Sequence, residues 1–317
     1  MLNRRYLRVK VLQSVYAYLV SGENNVQSGV KHLLTSIEKL HDLFIWQLSF
    51  LVDMRHFTEK RIYDNQHKHL PTKEDLNPSL KFYNNRLLIA IEENIDFKRE
   101  AERLKIHWYD EQEIFFDFYE KMIATEEYQA YINNPKDTFD VDKKFVISLI
   151  DNLFDECVVL QDFYEDKSIF FVEDYHLVTA LILKWLSGLS VKNFDSHTQM
   201  PSIYKDEYDD EQFVRKLFCD VVAHDEEYAQ LIADNTDKWE KERICIMDML
   251  ILKMALTELI LFSEIPVKVT INEYIELSKY FSTPKSKAFV NGLVDRLAKR
   301  LQNDGTIVKT GLGLIDK

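Results

Sequence analysis

Glycine and proline are scarce, with 7 and 6 in 317 residues. Strand-and-turn folds set their turns with both, so their scarcity argues against an all-β chain. No two glycines lie closer than Gly311 and Gly313, so the clustered glycines of a phosphate-cradling loop are missing. Cysteine is scarcer still. Cys157, Cys219 and Cys245 are odd in number, widely spaced and form no C-x-x-C pair. That fits three reduced thiols in a cytoplasmic protein and fits neither a disulfide framework nor a zinc site. No apolar run follows the basic start, so no secretory signal is expected. The most apolar stretch, Ile244 to Phe262, contains Asp248, Lys253 and Glu258. Those three charges favour a buried core helix over a membrane span. G-x-S-x-G, H-E-x-x-H and P-loop motifs are absent. Carboxylates are so abundant that no pair stands out as a general acid and base. His67-Lys68-His69 cannot place two ligands on one helix face, and no Cys/His set completes a tetrahedral site. The expectation is a soluble, cytoplasmic, non-enzymatic protein without metal or cofactor.

What is present is helical periodicity. Hydrophobic residues make up 46%, enough for a core. A first helix reads from about Asn3 to Val20, with Val9, Leu12, Tyr16 and Leu19 at helical spacing. A second run extends from Val26 to about Tyr63. Helices are expected at about 79–106, 110–133, 141–165, 170–188, 211–234 and 239–262. Thr270 and Glu273 have capping-box spacing, which predicts a helix start there. Thr283-Pro284 reads as an N-cap with proline at the first helical position. The polar stretch from Asn193 to Asp210 is the best boundary candidate. Phe145-Val146 with Leu149, then Leu181 to Lys184, echo Phe213-Val214 with Leu217, then Leu250 to Lys253, at a nearly constant offset. Duplication of a helical segment and chance similarity of amphipathic helices both account for it.

Net charge is −13, but it is unevenly spread. Residues 1–22 carry Arg4, Arg5, Arg8 and Lys10 and no acid, whereas residues 110–165 hold 15 acids and 4 bases. A basic pole on an acidic body is compatible with nucleic-acid binding, because fields act within about one Debye length, ~8–10 Å. Arg4, Arg5 and Arg8 crowd one helix start, where like charges repel and cations oppose the macrodipole. A phosphate ligand would offset that cost; a freely solvated basic end is the alternative.

The C-terminal third adds a pattern. The run Met247 to Leu259 reads MDMLILKMALTEL and Ile265 to Glu273 reads IPVKVTINE. Ile275 to Lys279 reads IELSK, and Ser286 to Asp295 reads SKAFVNGLVD. In order and spacing these resemble the bacterial transcription antitermination factor NusB family. The start, with Arg4, Arg5, Arg8, Gln13, Tyr16 and Ser21, is similar to that family's arginine-rich first helix. Thr257, Tyr6 and Lys285 depart from it, standing where Tyr, Arg and an acid are usual.

The resemblance implies an all-α, non-enzymatic protein: a NusB-like helical bundle at the C-terminus plus a large additional helical region. Residues 1–22 would be a basic first helix docked on the C-terminal domain, and 23–205 a helical insertion or N-terminal helical domain. Residues 206–302 would be the NusB-like domain and 303–317 a loose tail. It further implies binding to single-stranded ribosomal RNA leader at a boxA-type element through Arg4, Arg5, Arg8, Tyr16, Lys285, Ser286, Lys287 and Phe289. The partner would be NusE, the small-subunit ribosomal protein, met by an exposed Glu258, among other polymerase-associated Nus factors. A helical protein-interaction scaffold without RNA binding is the rival expectation.

Overall fold

The computed structural model describes residues 2–236 and 244–314, and every regular element among them is a helix. No helix among these residues is long and apolar enough to cross a membrane. The chain divides into two compact units: a first made of Glu38–Ile203, and a second made of Leu2–Ile37 with Tyr204–Lys317.

The N-terminal helices are α1 (Arg4–Ser21) and the 42-residue α2 (Val26–His67), whose first turns belong to the second unit. Then come α3 (Lys73–Leu76), α4 (Arg86–Glu93), α5 (Ile95–Arg103), α6 (Gln112–Ala124) and α7 (Glu126–Ile132). After them lie α8 (Phe139–Leu153), α9 (Val158–Lys167) and α10 (Tyr175–Gly188). Stretches that read as single helices are broken in two. Asn94 ends α4 and its side chain accepts from Phe97 N at 2.9 Å to open α5. Thr125 does the same for α7, accepting from Tyr128 N at 3.1 Å. A side chain that satisfies an orphan N–H makes such a break inexpensive.

The second unit continues with α11 (Glu207–Ala223), α12 (Asp225–Asp234), α13 (Ile246–Leu261), α14 (Val267–Phe281) and α15 (Ser286–Asn303). The start of the helix expected over 239–262, and Arg243, lie outside the described residues. From Leu250 to Leu259 α13 is buried on every side, as befits a helix that is apolar all round. It packs against α1, α11, α12, α14 and α15. α14 starts one turn earlier than its capping-box spacing predicts. Pro266 opens it, and Thr270 lies inside it with its hydroxyl turned to Glu258. α15 starts at Ser286, two residues late, because Thr283-Pro284-Lys285 form a turn closed by Ser286 N to Thr283 O at 2.9 Å.

α1 lies on α11 and α13, but with a different face from the one its periodicity indicates. Leu7, Val11, Leu12, Val15 and Tyr18 are buried, while Tyr16 faces outward. The apolar pattern misleads because Arg8, Lys10 and Ser14 share the buried side. The segment after Gly305, expected to be loose, is held. Ile307 is buried, and Thr310 N donates to Ser263 O at 3.0 Å. A Cβ on Gly313 would collide with that same carbonyl oxygen, so only glycine fits this approach.

The echo noted in the sequence extends to burial. In α8 the buried positions include Asp142, Phe145, Val146, Leu149, Ile150 and Leu153; in α11 they are Asp210, Phe213, Val214, Leu217, Phe218 and Val221. Each pair is 68 residues apart, from Asp142 to Asp210 onward. Leu160 and Tyr164 of α9 match Tyr228 and Ile232 of α12 at the same spacing. The caps match too: Thr138 accepts from Val141 N, and Asp206 from Asp209 N. Asp142 accepts from Arg86 Nη1 at 3.1 Å, and Asp210 lies 3.7 Å from Arg4 Nε. Both arginines open an asparagine-capped helix.

Candidate nucleic-acid interface

Asn3 fixes the start of α1, its side chain accepting from Arg5 N and Tyr6 N at 3.0 and 3.2 Å. The three arginines that follow all meet carboxylates of the second unit. Arg4 pairs with Asp209 and lies over the Phe213 ring, 4.8 Å from its centroid. Arg5 forms a two-point fork with Glu273, through Nε at 2.9 Å and Nη2 at 2.8 Å. That hydrogen-bonded carboxylate raises the guanidinium's pKa above its ordinary value, against a smaller opposing effect of burial. Glu273 is therefore a partner of Arg5 rather than a helix cap.

Arg8 turns inward. Its Nε and Nη2 reach Glu258 at 2.7 and 2.8 Å, and both side chains are essentially inaccessible. Glu258 also accepts from Thr270 Oγ1 at 2.9 Å and Tyr274 OH at 3.1 Å. Burial opposes the charge on Arg8, but the carboxylate outweighs it and holds the guanidinium above its usual range. Burial and the neighbouring carboxylate likewise push the Tyr274 phenol well up. Lys309 reaches the end of α13 from the tail, donating to Phe262 O at 2.9 Å and Glu258 O at 3.4 Å. Burial brings its ammonium down to about 8, with Glu258 acting in the opposite sense.

Two expectations are corrected here. Glu258 is not an exposed partner contact, and Arg8 is not presented to solvent. The two neutralise one another in the core, because an unpaired charge there would be far costlier. The signal was available: a carboxylate inside an all-apolar helix needs a buried cation.

At the other end of the chain, Ser286 is buried and spends its hydroxyl on Asp248 Oδ2 at 2.8 Å, with Ser282 and Thr283 beside it. It is thereby withdrawn from the surface. Lys285 and Lys287 are exposed, and Phe289 is half-buried. Glu276 of α14 feels charges from both ends. Its carboxyl is held below the usual range by its hydrogen bond to Lys279 first, then by the charges of Arg5 and Lys287. The charges of Arg5 and Lys287, remote in sequence, thus both favour the charged form of this half-buried carboxylate.

Beside this rim two clefts flank Arg4, of about 810 and 480 Å³, and both include Asn3, Glu264, Ile265 and Leu312 in their walls. Nothing in the sequence signalled them, since they are built from the starts of α1 and α11, the turn after α13 and the tail.

The model of the NusB family matches residues 182–299, a span that leaves out α1. The transcription antitermination protein NusB of Salinibacter ruber is 43% identical over 103 residues, which is 32% of this chain and 64% of that protein. That of Chloroherpeton thalassium is 36% identical over 104 residues, 33% of this chain and 49% of the relative. For Geobacillus kaustophilus the values are 39% over 94 residues, 30% of this chain and 72% of the relative. The chain thus spans about half to two thirds of the first two relatives. Among solved structures, T. maritima NusB is 28% identical, covers 38% of this chain and 75% of its own, and superposes with a TM-score of 0.28.

Proposed function

The chain belongs to the NusB family, and on that premise we propose that it is a cytoplasmic transcription antitermination factor that binds single-stranded RNA. The RNA is a boxA-type element of nascent ribosomal RNA, and NusE, with other polymerase-associated Nus factors, is the partner on the same helical module. The observation that supports an RNA site is a set of cations gathered around α14: Arg5 at the head of α1 reaches Glu273 of α14, and α15, which packs on α14, carries Lys285 at its cap and Lys287 in its first turn. The charges of Arg5 and Lys287 both favour the charged form of the half-buried Glu276 of α14, Lys285 is exposed beside Lys287, and Phe289 is half-buried on the same helix. Cations that follow a backbone next to an aromatic ring are what a single strand requires. Arg8, Glu258 and Ser286 serve the core, so contact falls to Arg4, Arg5, Tyr16, Lys285, Lys287 and Phe289. No chemistry is required of the site, and the protein acts by binding.

The test is a salt titration of binding to a single-stranded boxA-type RNA, with and without NusE. Changing Lys285 and Lys287 together to Ala should flatten the slope of log K against log salt by about 1.4, at ~0.7 per phosphate. An unchanged slope moves the RNA elsewhere. The second reading, a scaffold without RNA binding, is favoured by the pairing of Arg4, Arg5 and Arg8 with carboxylates. It predicts NusE binding with no RNA binding at low salt.

A further inference from the structure

We propose that Asp209 and Glu273 are built-in competitors for RNA phosphate, occupying Arg4 and Arg5 until a phosphodiester displaces them. The proposal rests on the RNA-binding reading above and adds how that site is regulated.

Exposure sorts the three arginine pairs. Side-chain accessibility is 3% and 0% for Arg8 and Glu258, 41% and 17% for Arg5 and Glu273, and 38% and 66% for Arg4 and Asp209. The first pair is locked, because separating it would strand two charges in the core. In the other two the arginine at least is open to solvent, and the net contribution of such pairs is small enough for another anion to take over. The geometry suits that exchange. Arg5 holds Glu273 by the two-point fork that a guanidinium also uses on phosphate. Arg4 rests on the Phe213 ring, which would keep the guanidinium in place while its hydrogen-bonding edge changes partner.

Neither carboxylate is stranded by the exchange. Arg8 Nη1 stands 3.8 Å from Glu273 Oε2, so Glu273 keeps a cation when Arg5 leaves. Asp209 is exposed and returns to water. Asp210, the second carboxylate near Arg4, keeps the backbone N–H groups of Lys205 and Asp206 at 3.0 and 3.3 Å. RNA must therefore supply enough phosphates, suitably spaced, to outcompete two carboxylates together. Such a surface turns away isolated anions and weakly held strands and admits a strand that engages the whole rim.

The experiment uses the full chain, a single-stranded boxA-type RNA and the same salt titration. Asp209→Asn and Glu273→Gln should each tighten binding about two- to fivefold at low salt, the range of an exposed ion pair. Each should also steepen the salt slope, by up to ~0.7 per arginine released. Asp151→Asn, an exposed acid of α8, removes the same charge elsewhere and should do neither. Adding Arg5→Ala to Glu273→Gln should abolish the gain. Asp209 is so exposed that its variant tests the idea even if Glu273→Gln loses stability in a thermal melt. Binding by the parent chain that neither variant improves beyond Asp151→Asn overturns the competition but leaves RNA binding standing. Absence of binding in every variant overturns both. Binding that emerges only when the two carboxylates are neutralised supports the proposal most directly.

Discussion

Glu258 is the residue whose loss the second unit should tolerate least. Its carboxylate takes four hydrogen bonds from three side chains, and the largest share comes from a guanidinium sealed from water. Glu258→Leu would leave the buried Arg8 without its hydrogen-bonded counter-charge, with only the longer contact to Glu273 at 3.8 Å remaining, at a cost of about 3–5 kcal/mol. The midpoint of urea denaturation measures it. Combining it with Arg8→Met should recover most of the loss, less the cost of two hydroxyls deprived of an acceptor. If the double variant is no better than the single, the pair is not the source of the effect. The cysteines offer a second measurement. Burial, with Asp117 nearby, pushes the Cys157 thiol up to about 11, so at pH 8 only about one molecule in a thousand carries the reactive thiolate. Alkylation of the folded protein should reach Cys157 last, and mass spectrometry of a time course reads the order. At this scale the sequence placed Asp248, Lys253 and Glu258 in a core helix, yet the family resemblance made Glu258 an exposed partner contact. The sequence could not say that the three meet Ser286, Asp225 and Arg8, because those meetings are made by the packing of helices remote in sequence.

Among the elements, those defined by a long apolar run were legible, whereas those opened by an internal cap, or by the proline at Pro284, were missed or misplaced. α13 and α2 follow from composition alone. The breaks at Asn94 and Thr125 are chemically ordinary caps, yet periodicity carries straight through them, because the apolar residues on either side remain in phase. At Thr270 and Glu273 the opposite error arises: the spacing of a capping box is present, but both side chains serve the arginines' carboxylate network, Thr270 by donating to Glu258 and Glu273 by pairing with Arg5. The face of α1 was misjudged for the same kind of reason, since Arg8 on its buried side looks like surface until Glu258 is seen. The crossing of α1, α2 and α11 gives a prediction. A Cβ on Gly29 would stand 2.5 Å from Phe218 Cζ and 2.9 Å from Tyr18 Cδ2, two rings that already meet edge to face at 5.6 Å. Gly29→Ala normally favours a helix, yet here overpacking should dominate and destabilise the protein by about 1–3 kcal/mol. A thermal melt that shows Gly29→Ala unchanged or raised means that the rings yield.

For the whole molecule, two units with separate cores predict unfolding that is not a single step. Three of the four tryptophans, Trp46, Trp108 and Trp185, belong to the first unit, so fluorescence follows that unit chiefly, while far-ultraviolet circular dichroism follows every helix. The two urea transitions should not coincide. Coincident curves would mean that α2, continuous through both units, couples them into one cooperative body. The register shared by α8–α9 and α11–α12 has a consequence for how such a chain reaches its native state. During collapse each segment presents apolar side chains at the same spacing, though not identical ones, and both carry a carboxylate ready for an arginine at the head of an asparagine-capped helix. A chain that crossed these partners would set Arg4 against Asp142 and Arg86 against Asp210. Such crossed partners are a characteristic hazard of repeated architectures and act as kinetic traps. What breaks the symmetry is the chemistry that only one copy possesses. Arg8 finds a buried carboxylate in Glu258, and the position 69 residues earlier, in register with α10, is Leu189. A chain crossed in that way would set Arg8 against Leu189 instead of Glu258, and an unpaired charge buried there would be costly, so the ion pair in the core would favour the native pairing over the crossed one.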